Sequence, residues 1–457
     1  MSLTMCTIHA TRRTDQAVYC TGELVKALRL SGTKTIKLRL GSKSVSAPLR
    51  VIKKTGRHLY IPLSLMANMR IPRVGGCMVN SNSIEREIRF GPLIGVLTNV
   101  TGRTSSPFGT ITGFIRQLMQ AGENQSFHFA FSPRDVNWQQ ETVTGFFPQP
   151  GGGWTRRTVP LPDVVYNRLS SRKAEKSAGI QSFKERFVRR GIPLFNWSFF
   201  DKWDVYNLLK DDASFQNVPE SRINPSPDQI RDMLDKHKFI YLKPTGGSLG
   251  IGIYRITYMP KRGYFARFRK NGKNVLLRFA KFEGLANMLG IGRGRLQNYV
   301  AQQGIRLIEI DSCPIDFRFH MTKNGSNKWV VAAIGAKKAG KGSVTTHIRN
   351  GGQLMTPEQV LRQIYGSRSD TVLQNAKETA IQLAEAIEKN YDHLLGELGF
   401  DIGIDQSENV WMFEANAKPG RSIFKHPSLK AQDKASIAYI YEHFLYLSRF
   451  RARRESQ

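Results

Sequence analysis

The chain has 457 residues, 40% apolar and 23% charged, with a net charge of +32; it is too long for one core, so two to four domains are expected, and its field attracts polyanions. No stretch nears the roughly 20 apolar residues of a membrane helix, and the N-terminus, MSLTMCTIHATRR, has no apolar run before a small-residue cleavage site. The four cysteines, Cys6, Cys20, Cys77 and Cys313, form no CxxC, which excludes the usual zinc and redox motifs and leaves reduced thiols in a cytosolic compartment as the expectation.

Residues 1–90 read as β-rich and internally repeated. A short strand (Val18-Tyr19; Leu59-Tyr60) leads into a helical turn (Leu24, Ala27, Leu28; Leu65, Met66, Met69) and then an alternating strand (Ile36 to Leu40; Cys77 onward). Such a repeat points to the two halves of a small barrel, with two unrelated hairpins as the alternative. Gly91-Pro92 marks a boundary. Leu93 to Val100, a helix over Gly109 to Ala121 and Phe127 to Ser132 suggest a Rossmann-like unit over 91–196. Phe147 to Pro162, rich in Pro and Gly, is expected to be loop. From 197 to 457 strands and helices alternate. Apolar residues at three- and four-residue steps predict a helix from Asp370 to Leu398 with Gly399 as its C-cap. A last helix is predicted from Leu429 to Arg451, its basic end suited to the helix dipole.

Several features carry chemistry. Lys243-Pro-Thr-Gly246-Gly247-Ser248-Leu-Gly250-Ile-Gly252 follows a strand, Phe239 to Leu242. Glycines there let backbone N–H groups approach phosphate oxygens, and Lys243 can reach the same oxygens. A flexible hairpin is the alternative. Asp316 and Arg318 lie two apart on a strand-like stretch and share a face, where the guanidinium could clamp a phosphate or carboxylate. The stretch Phe400 to Gly420 reads as a β-hairpin carrying Asp401, Glu414 and Asn416. Two carboxylates and an amide oxygen make a hard, all-oxygen site suited to magnesium or manganese on nucleotide phosphates. Phe200-Asp201-Lys202 stands ahead of a helix. Gly335 to Gly342 nearly fits a P-loop, but Gly342 replaces the metal-binding Ser or Thr and the following VTTHIRNGG reads as strand and turn, so the motif is rejected.

Taken in order, these features resemble the ATP-grasp superfamily. The Asp-to-Glu spacing of the last hairpin looks like that of D-alanine–D-alanine ligases, and DFRFHM with the segment after it looks like ribosomal-protein glutamate ligases and glutathione synthetases. More narrowly, GPLIGVLT, PLPDVVYNRLSSRKAE, GGSLGIGIYRI, VAQQGIRL and MFEANAKPG resemble the YheC/YheD family of endospore coat-associated proteins. The resemblance implies two α+β lobes clasping ATP, with a lid at about 238–300, behind a Rossmann-like domain. It implies that Lys202 and Lys243 contact ATP phosphates, that Gly246, Gly247, Ser248, Gly250 and Gly252 form a loop over them, and that Gln302 and Gln303 sit at the adenine hinge after a strand Leu296 to Ala301. Asp401, Glu414 and Asn416 would hold the metal, with Arg318 and Lys337 at the transferred phosphoryl group or substrate. The implied activity is an ATP-dependent ligase joining a carboxylate to an amine or related nucleophile through an acyl phosphate, in the cytoplasm or associated with the spore coat.

Three positions depart from the pattern. Lys337 replaces an arginine, His347 an asparagine, and Gly399 stands where the ligases carry an arginine. With the +32 charge, these departures leave a second reading: a spore-coat-associated binding protein, with little or no catalysis, docking on acidic polymers. Basic residues run from Arg12 to Arg454 rather than in one block, and no RNP, zinc-finger or basic-helix motif accompanies them, so specific nucleic-acid recognition is not expected.

Overall fold

The structure is a computed structural model and describes residues 2–245, 252–291, 294, 296–343 and 351–451. It is built on four sheets. The first is a closed barrel of seven strands: β1 (Ser2–Thr11), β2 (Val18–Thr21), β3 (Thr35–Leu40), β4 (Lys43–Ile52), β5 (His58–Pro62), β6 (Gly75–Asn82) and β7 (Glu87–Gly91), in the order β1-β5-β2-β4-β3-β7-β6. Helices α1 (Gly22–Ala27) and α2 (Leu63–Met69) follow β2 and β5, which is the repeat seen in the sequence. Along β3 the alternation is direct: Ile36, Leu38 and Leu40 are buried while Thr35 and Lys37 are exposed. Closure leaves the barrel no open edge.

The second sheet begins with β8 (Leu93–Leu97), crosses over through α3 (Thr112–Ala121) and returns as the parallel β9 (Phe127–Phe131). Next come β10 (Val136–Asn137), β11 (Thr142–Pro148) and β12 (Trp154–Pro160). The expected loop over Phe147 to Pro162 is therefore mostly the β11–β12 hairpin. Its glycines are confined to the tip, where Gly151, Gly152 and Gly153 all take positive φ, and the residues on either side pair as strands. β13 (Val164–Asn167), α4 (Arg172–Glu175), α5 (Ala178–Val188) and β14 (Leu194–Phe195) complete this unit. One face of the sheet packs with the barrel and α5 in a single core; the other packs on α3 and on the last helix of the chain.

The third sheet is antiparallel. After α6 (Lys202–Leu209), β15 (Ser221–Ile223) and α7 (Pro227–His237) come β16 (Phe239–Pro244), β17 (Tyr254–Met259), β18 (Gly263–Lys270), β19 (Lys273–Phe279), α8 (Phe282–Leu289) and β20 (Tyr299–Gln303). The order is β15-β20-β16-β17-β18-β19, with α7 and α8 covering one face.

The fourth sheet holds β21 (Glu309–Ile310), β22 (Cys313–Lys323), β23 (Trp329–Lys338), β24 (Gln353–Met355), and, after α9 (Pro357–Tyr365) and α10 (Ser369–Lys389), β25 (Glu397–Ile404) and β26 (Val410–Asn416). Its order is β24-β23-β22-β25-β26. The helix predicted to Leu398 stops at Lys389. Leu398 and Gly399 belong to β25, because Glu397 to Phe400 is buried as part of a central strand and Gly399 caps nothing. The last helix, α11 (Lys430–Leu447), is also shorter than predicted: Arg449 takes a positive φ and turns the fully buried Phe450 back into the core, so the helix does not run on to Arg451. No described helix is long and apolar enough to cross a membrane.

Candidate functional site

Between the open face of the third sheet and the fourth sheet lies a cleft of about 880 Å³. Seven basic residues line it, Arg172, Lys238, Lys243, Arg255, Arg306, Arg318 and Lys337, against four acidic ones, Glu309, Asp316, Asp401 and Glu414, among the described residues. The excess of positive charge leaves room for a bound anion.

Strand register builds the floor. Arg318 on β22 stands opposite Asp401 on β25, which stands opposite Glu414 on β26. Directly opposite residues in an antiparallel sheet share a face, so the three form one row. One step along, Asp316 stands opposite Lys337. Lys337 Nζ lies 2.9 Å from Asp401 Oδ1 and 3.4 Å from Asp316 Oδ1, and Arg318 Nε lies 3.5 Å from Asp401 Oδ1. Burial alone would raise the Asp401 pKa, but Arg318, Lys337 and Lys202 together hold it far below the usual range. Burial likewise disfavours the charged Lys337, and Asp316 with Asp401 outweighs it, so this lysine stays protonated more firmly than usual.

Lys202 is the first residue of α6, whose N-terminus is closed by a capping box between Asp201 and Asp204. Its Nζ lies 3.4 Å from Glu414 Oε2. Lys243 enters from the opposite wall near the end of β16 and donates to Gln302 Oε1 at 2.6 Å. Burial, helped by Lys202, lowers the Lys243 pKa to about 8 against the pull of Glu414, Asp401 and Asp316. Lys202 and Lys243 thus approach one group of carboxylates from two elements.

Asp401, Glu414 and Asn416 do come together. With the Asn416 amide turned to suit its neighbours, its nitrogen is 3.2 Å from Glu414 Oε1 and its oxygen 3.2 Å from Arg318 Nη1. No three His, Cys, Asp or Glu residues converge among the described residues. Two carboxylates and an amide oxygen fit a small hard cation of the magnesium type, which binds through one or two carboxylates and a phosphate rather than in an all-protein cage.

Gln302 and Gln303 are the last residues of β20, not the residues after a strand ending at Ala301, because β20 starts later, at Tyr299. Gln302 stands opposite Tyr241, whereas the Gln303 side chain accepts from the Glu220 backbone N–H at 3.1 Å. Of the glycine loop only Gly252 is described. It takes a positive φ of 74°, and a Cβ there would sit 3.1 Å from Pro244 Cγ and Tyr299 Oη. Gly246, Gly247, Ser248 and Gly250 lie outside the described residues, as does His347.

Period-two reasoning missed the apolar wall: Tyr241, Ile305, Leu307 and Phe413. Phe413 precedes Glu414 and should face away from it. A bulge makes both line the cleft: Asp401 pairs with Glu414 and the next residue, Ile402, pairs with Met412, leaving Phe413 as the extra residue. Gly403 makes the space, since a Cβ there would lie 2.4 Å from Leu307 Cδ2 and 2.6 Å from Phe413 Cε2. In the sequence, that glycine was the available signal. Gly399 has a similar meaning: a Cβ there would lie 2.6 Å from Pro419 Cβ and 3.2 Å from Arg318 Nη1. The guanidinium reaches the row from β22 instead of from β25. Arg172 also lines the cleft and was not singled out; its Nη1 donates to the Phe200 carbonyl at 2.7 Å.

A Rossmann-like unit followed by an antiparallel sheet and a second sheet, with a cation-rich cleft between those two, defines an ATP-grasp protein. Residues 191–447, more than half of the chain, match the family model described as "YheC/D like ATP-grasp", and the chain belongs to that family. It is 35% identical over 372 residues to the endospore coat-associated protein YheD of Bacillus subtilis, covering 80% of each chain. It is 23% identical over 302 residues to the endospore coat-associated protein YheC of the same organism, covering 64% of this chain and 80% of that one. Among solved structures, the VanG D-Ala:D-Ser ligase from Enterococcus faecalis aligns with a TM-score of 0.44 and 11% identity, over 78% of this chain and 99% of that one.

Proposed function

We propose that this protein binds Mg-ATP in the cleft and transfers the γ-phosphoryl group to a carboxylate, as an ADP-forming carboxylate–amine ligase. The observation that carries this reading is the row Arg318, Asp401, Glu414 facing two lysines, Lys202 and Lys243, that come from separate elements. Lys202 and Lys243 bind the phosphates together with the Gly246 to Gly252 loop, and Gln302 and Gln303 meet the adenine edge beside the apolar wall. Asp401, Glu414 and Asn416 hold the metal, which neutralises charge on the phosphates when bound. Arg318 and Lys337 steady the transferred group and the acid.

A carboxylate oxygen attacks the γ-phosphorus as the bond to the β–γ bridging oxygen breaks and ADP leaves. An amine nitrogen then attacks the acyl carbon, the bond to the phosphate oxygen breaks, inorganic phosphate leaves, and the amine proton passes to solvent. Rate comes from positioning and charge neutralisation, with no covalent protein intermediate. The relatives' name supports association with the spore coat. ATP, magnesium and a panel of acid–amine pairs should yield ADP and phosphate in a manner dependent on both acid and amine; tight ATP binding with no release across a broad panel would sink the transfer step. One observation favours a second reading, nucleotide binding without turnover: Lys337 is engaged by both Asp316 and Asp401 and, unlike an arginine, has no second arm to offer a substrate.

A further inference from the structure

The positive charge is not spread evenly. Residues 238–300 carry thirteen lysines and arginines against a single acid, Glu283, so 63 residues hold +12 of the chain's +32. Nucleotide phosphates account for little of this, because most of these residues lie beyond Lys243. Register shows where several of them point. Tyr241, Arg255, Arg267 and Leu276 stand opposite one another across β16, β17, β18 and β19. The neighbouring row on the same face is Phe239, Thr257, Phe265 and Arg278, and Arg269 follows Arg267. The other face packs under α7 and α8 through Ile240, Ile256 and Ala266. Tyr241, Arg255, Phe239 and Thr257 line the nucleotide cleft. The open face of the lid is therefore one surface that starts at the candidate site and runs outward for two further strands.

Among the described residues, no carboxylate lies within 4 Å of the basic group of Arg255, Arg267, Arg269, Lys270, Lys273 or Arg278. Uncompensated like charge on adjacent strands is unfavourable, and a polyanion laid across it removes that cost. Edge charges can guard a sheet against self-pairing, but Arg255 and Arg267 lie two strands and one strand in from the edge. β19 ends the sheet with no strand on its outer side among the described residues. Leu276 is 56% exposed beside this edge and Met259 is 43% exposed. Arg255 covers the Phe239 ring at 4.7 Å. Exposed aliphatic side chains and an open strand suit an extended polypeptide, whereas single-stranded nucleic acid needs exposed aromatic faces on which to stack.

We infer that the lid's open face is a docking surface for an acidic polypeptide, which adds along β19 and lies across the Arg267–Arg255 row so that one of its carboxylates reaches Arg318 and Lys337. The inference rests on the proposed ligase reading for what happens to that carboxylate, but not for the docking itself.

Labelled poly-L-glutamate is the probe, with polyuridylate of equal charge as its competitor class, and ATP affinity is measured separately by calorimetry. Arg267→Glu with Arg269→Glu should weaken poly-L-glutamate binding by about tenfold or more and leave ATP affinity unchanged; Lys26→Glu with Lys34→Glu on the barrel, the same change in charge, should cost no more than about twofold. Arg267→Gln with Arg269→Gln, which removes charge without reversing it, should fall between the two and guards against a folding defect. Equal losses in the lid and barrel variants, or none in the lid variant, would overturn the inference. So would tighter, lid-dependent binding of polyuridylate. Lid-dependent poly-L-glutamate binding by a protein that fails to bind ATP would support the docking surface while removing the ligase reading.

Discussion

Strand β25 carries two acids four residues apart on one face, and they live in opposite worlds. Glu397 is fully buried: His320 Nε2 is 2.9 Å from its Oε1, Arg168 Nη1 is 3.1 Å from its Oε2, Tyr166 donates to it, and Arg421 Nη1 is 3.7 Å away. Asp401 is 21% exposed at the mouth of the cleft, between Arg318 and Lys337. Both carboxylates sit among cations. Around Glu397 every partner comes from protein and water is shut out, and two of those partners, Tyr166 and Arg168, belong to the second sheet unit. That network is a lock between the Rossmann-like unit and the fourth sheet. Around Asp401 the cations outnumber the acids and the space above is open. A network enclosed by protein on every side holds the fold; one left with excess charge facing a cavity binds something.

If the comparison holds, Glu397→Gln is the most damaging change. Removing one member of a buried charge network typically costs about 3–5 kcal/mol, so the melting temperature should fall sharply while ATP affinity of the remaining folded protein is retained. Burial would raise the Glu397 pKa, but Arg168, His320 and Arg421 bring it down to about 2, from 4.5. Its contribution to stability is thus complete above pH 4.5 and is lost as the pH falls toward 2. Denaturant titrations from pH 6 down to pH 3 should show the wild type losing stability faster than Glu397→Gln. Parallel curves would break the contrast.

The cleft should show the reverse pattern. Glu414→Gln should weaken Mg-ATP binding by at least the ~10–100-fold seen when a metal site loses an outer partner, and change stability by less than about 1 kcal/mol, since its ion pair with Lys202 is long, at 3.4 Å, and opens on the cleft. Calorimetry with and without magnesium reads the first and denaturant unfolding the second. An unchanged affinity would remove Glu414 from the metal set. Lys243→Ala should cost about 1–3 kcal/mol of ATP affinity, the scale of a charge-assisted contact; an unaltered dissociation constant would take it out of the site.

How much of this was legible beforehand follows from which rules were in force. Alternation along Ile36 to Leu40 and the repeat at Leu59 foretold the barrel because a closed sheet buries one face regularly. Asp401, Glu414 and Asn416 could be grouped from a hairpin pattern, because pairing distance follows from the turn. Phe413 could not be, because a bulge breaks the period on which such reasoning depends. The overrun of α10 into β25 has another cause: Leu395, Leu398 and Phe400 lie in a stretch that is buried throughout, Glu397 included, and periodicity over so few residues does not separate a central strand from the end of a buried helix. The lock at Glu397 was invisible, since its partners Tyr166 and Arg168 lie some 230 residues away. A total over the chain hides one segment, residues 238–300, that carries more than a third of the net charge.

The smallest effect is the most diagnostic of the cleft's incompleteness. Lys243, with its pKa lowered to about 8 by burial and by Lys202, begins to lose its proton as the pH rises from 7 to 9. Phosphates beside it favour the charged form. ATP binding should therefore take up part of a proton near pH 8–9 and almost none near pH 6, and affinity should fall by up to about tenfold between pH 7 and 9, the equivalent of one pKa unit. Titrations in buffers of different ionisation enthalpy separate the proton from the ligand. Lys243→Arg, which stays charged over this range, should flatten the profile; a profile that keeps its slope in that variant would assign the proton to another group and leave Lys243 no different from a lysine already satisfied by the protein.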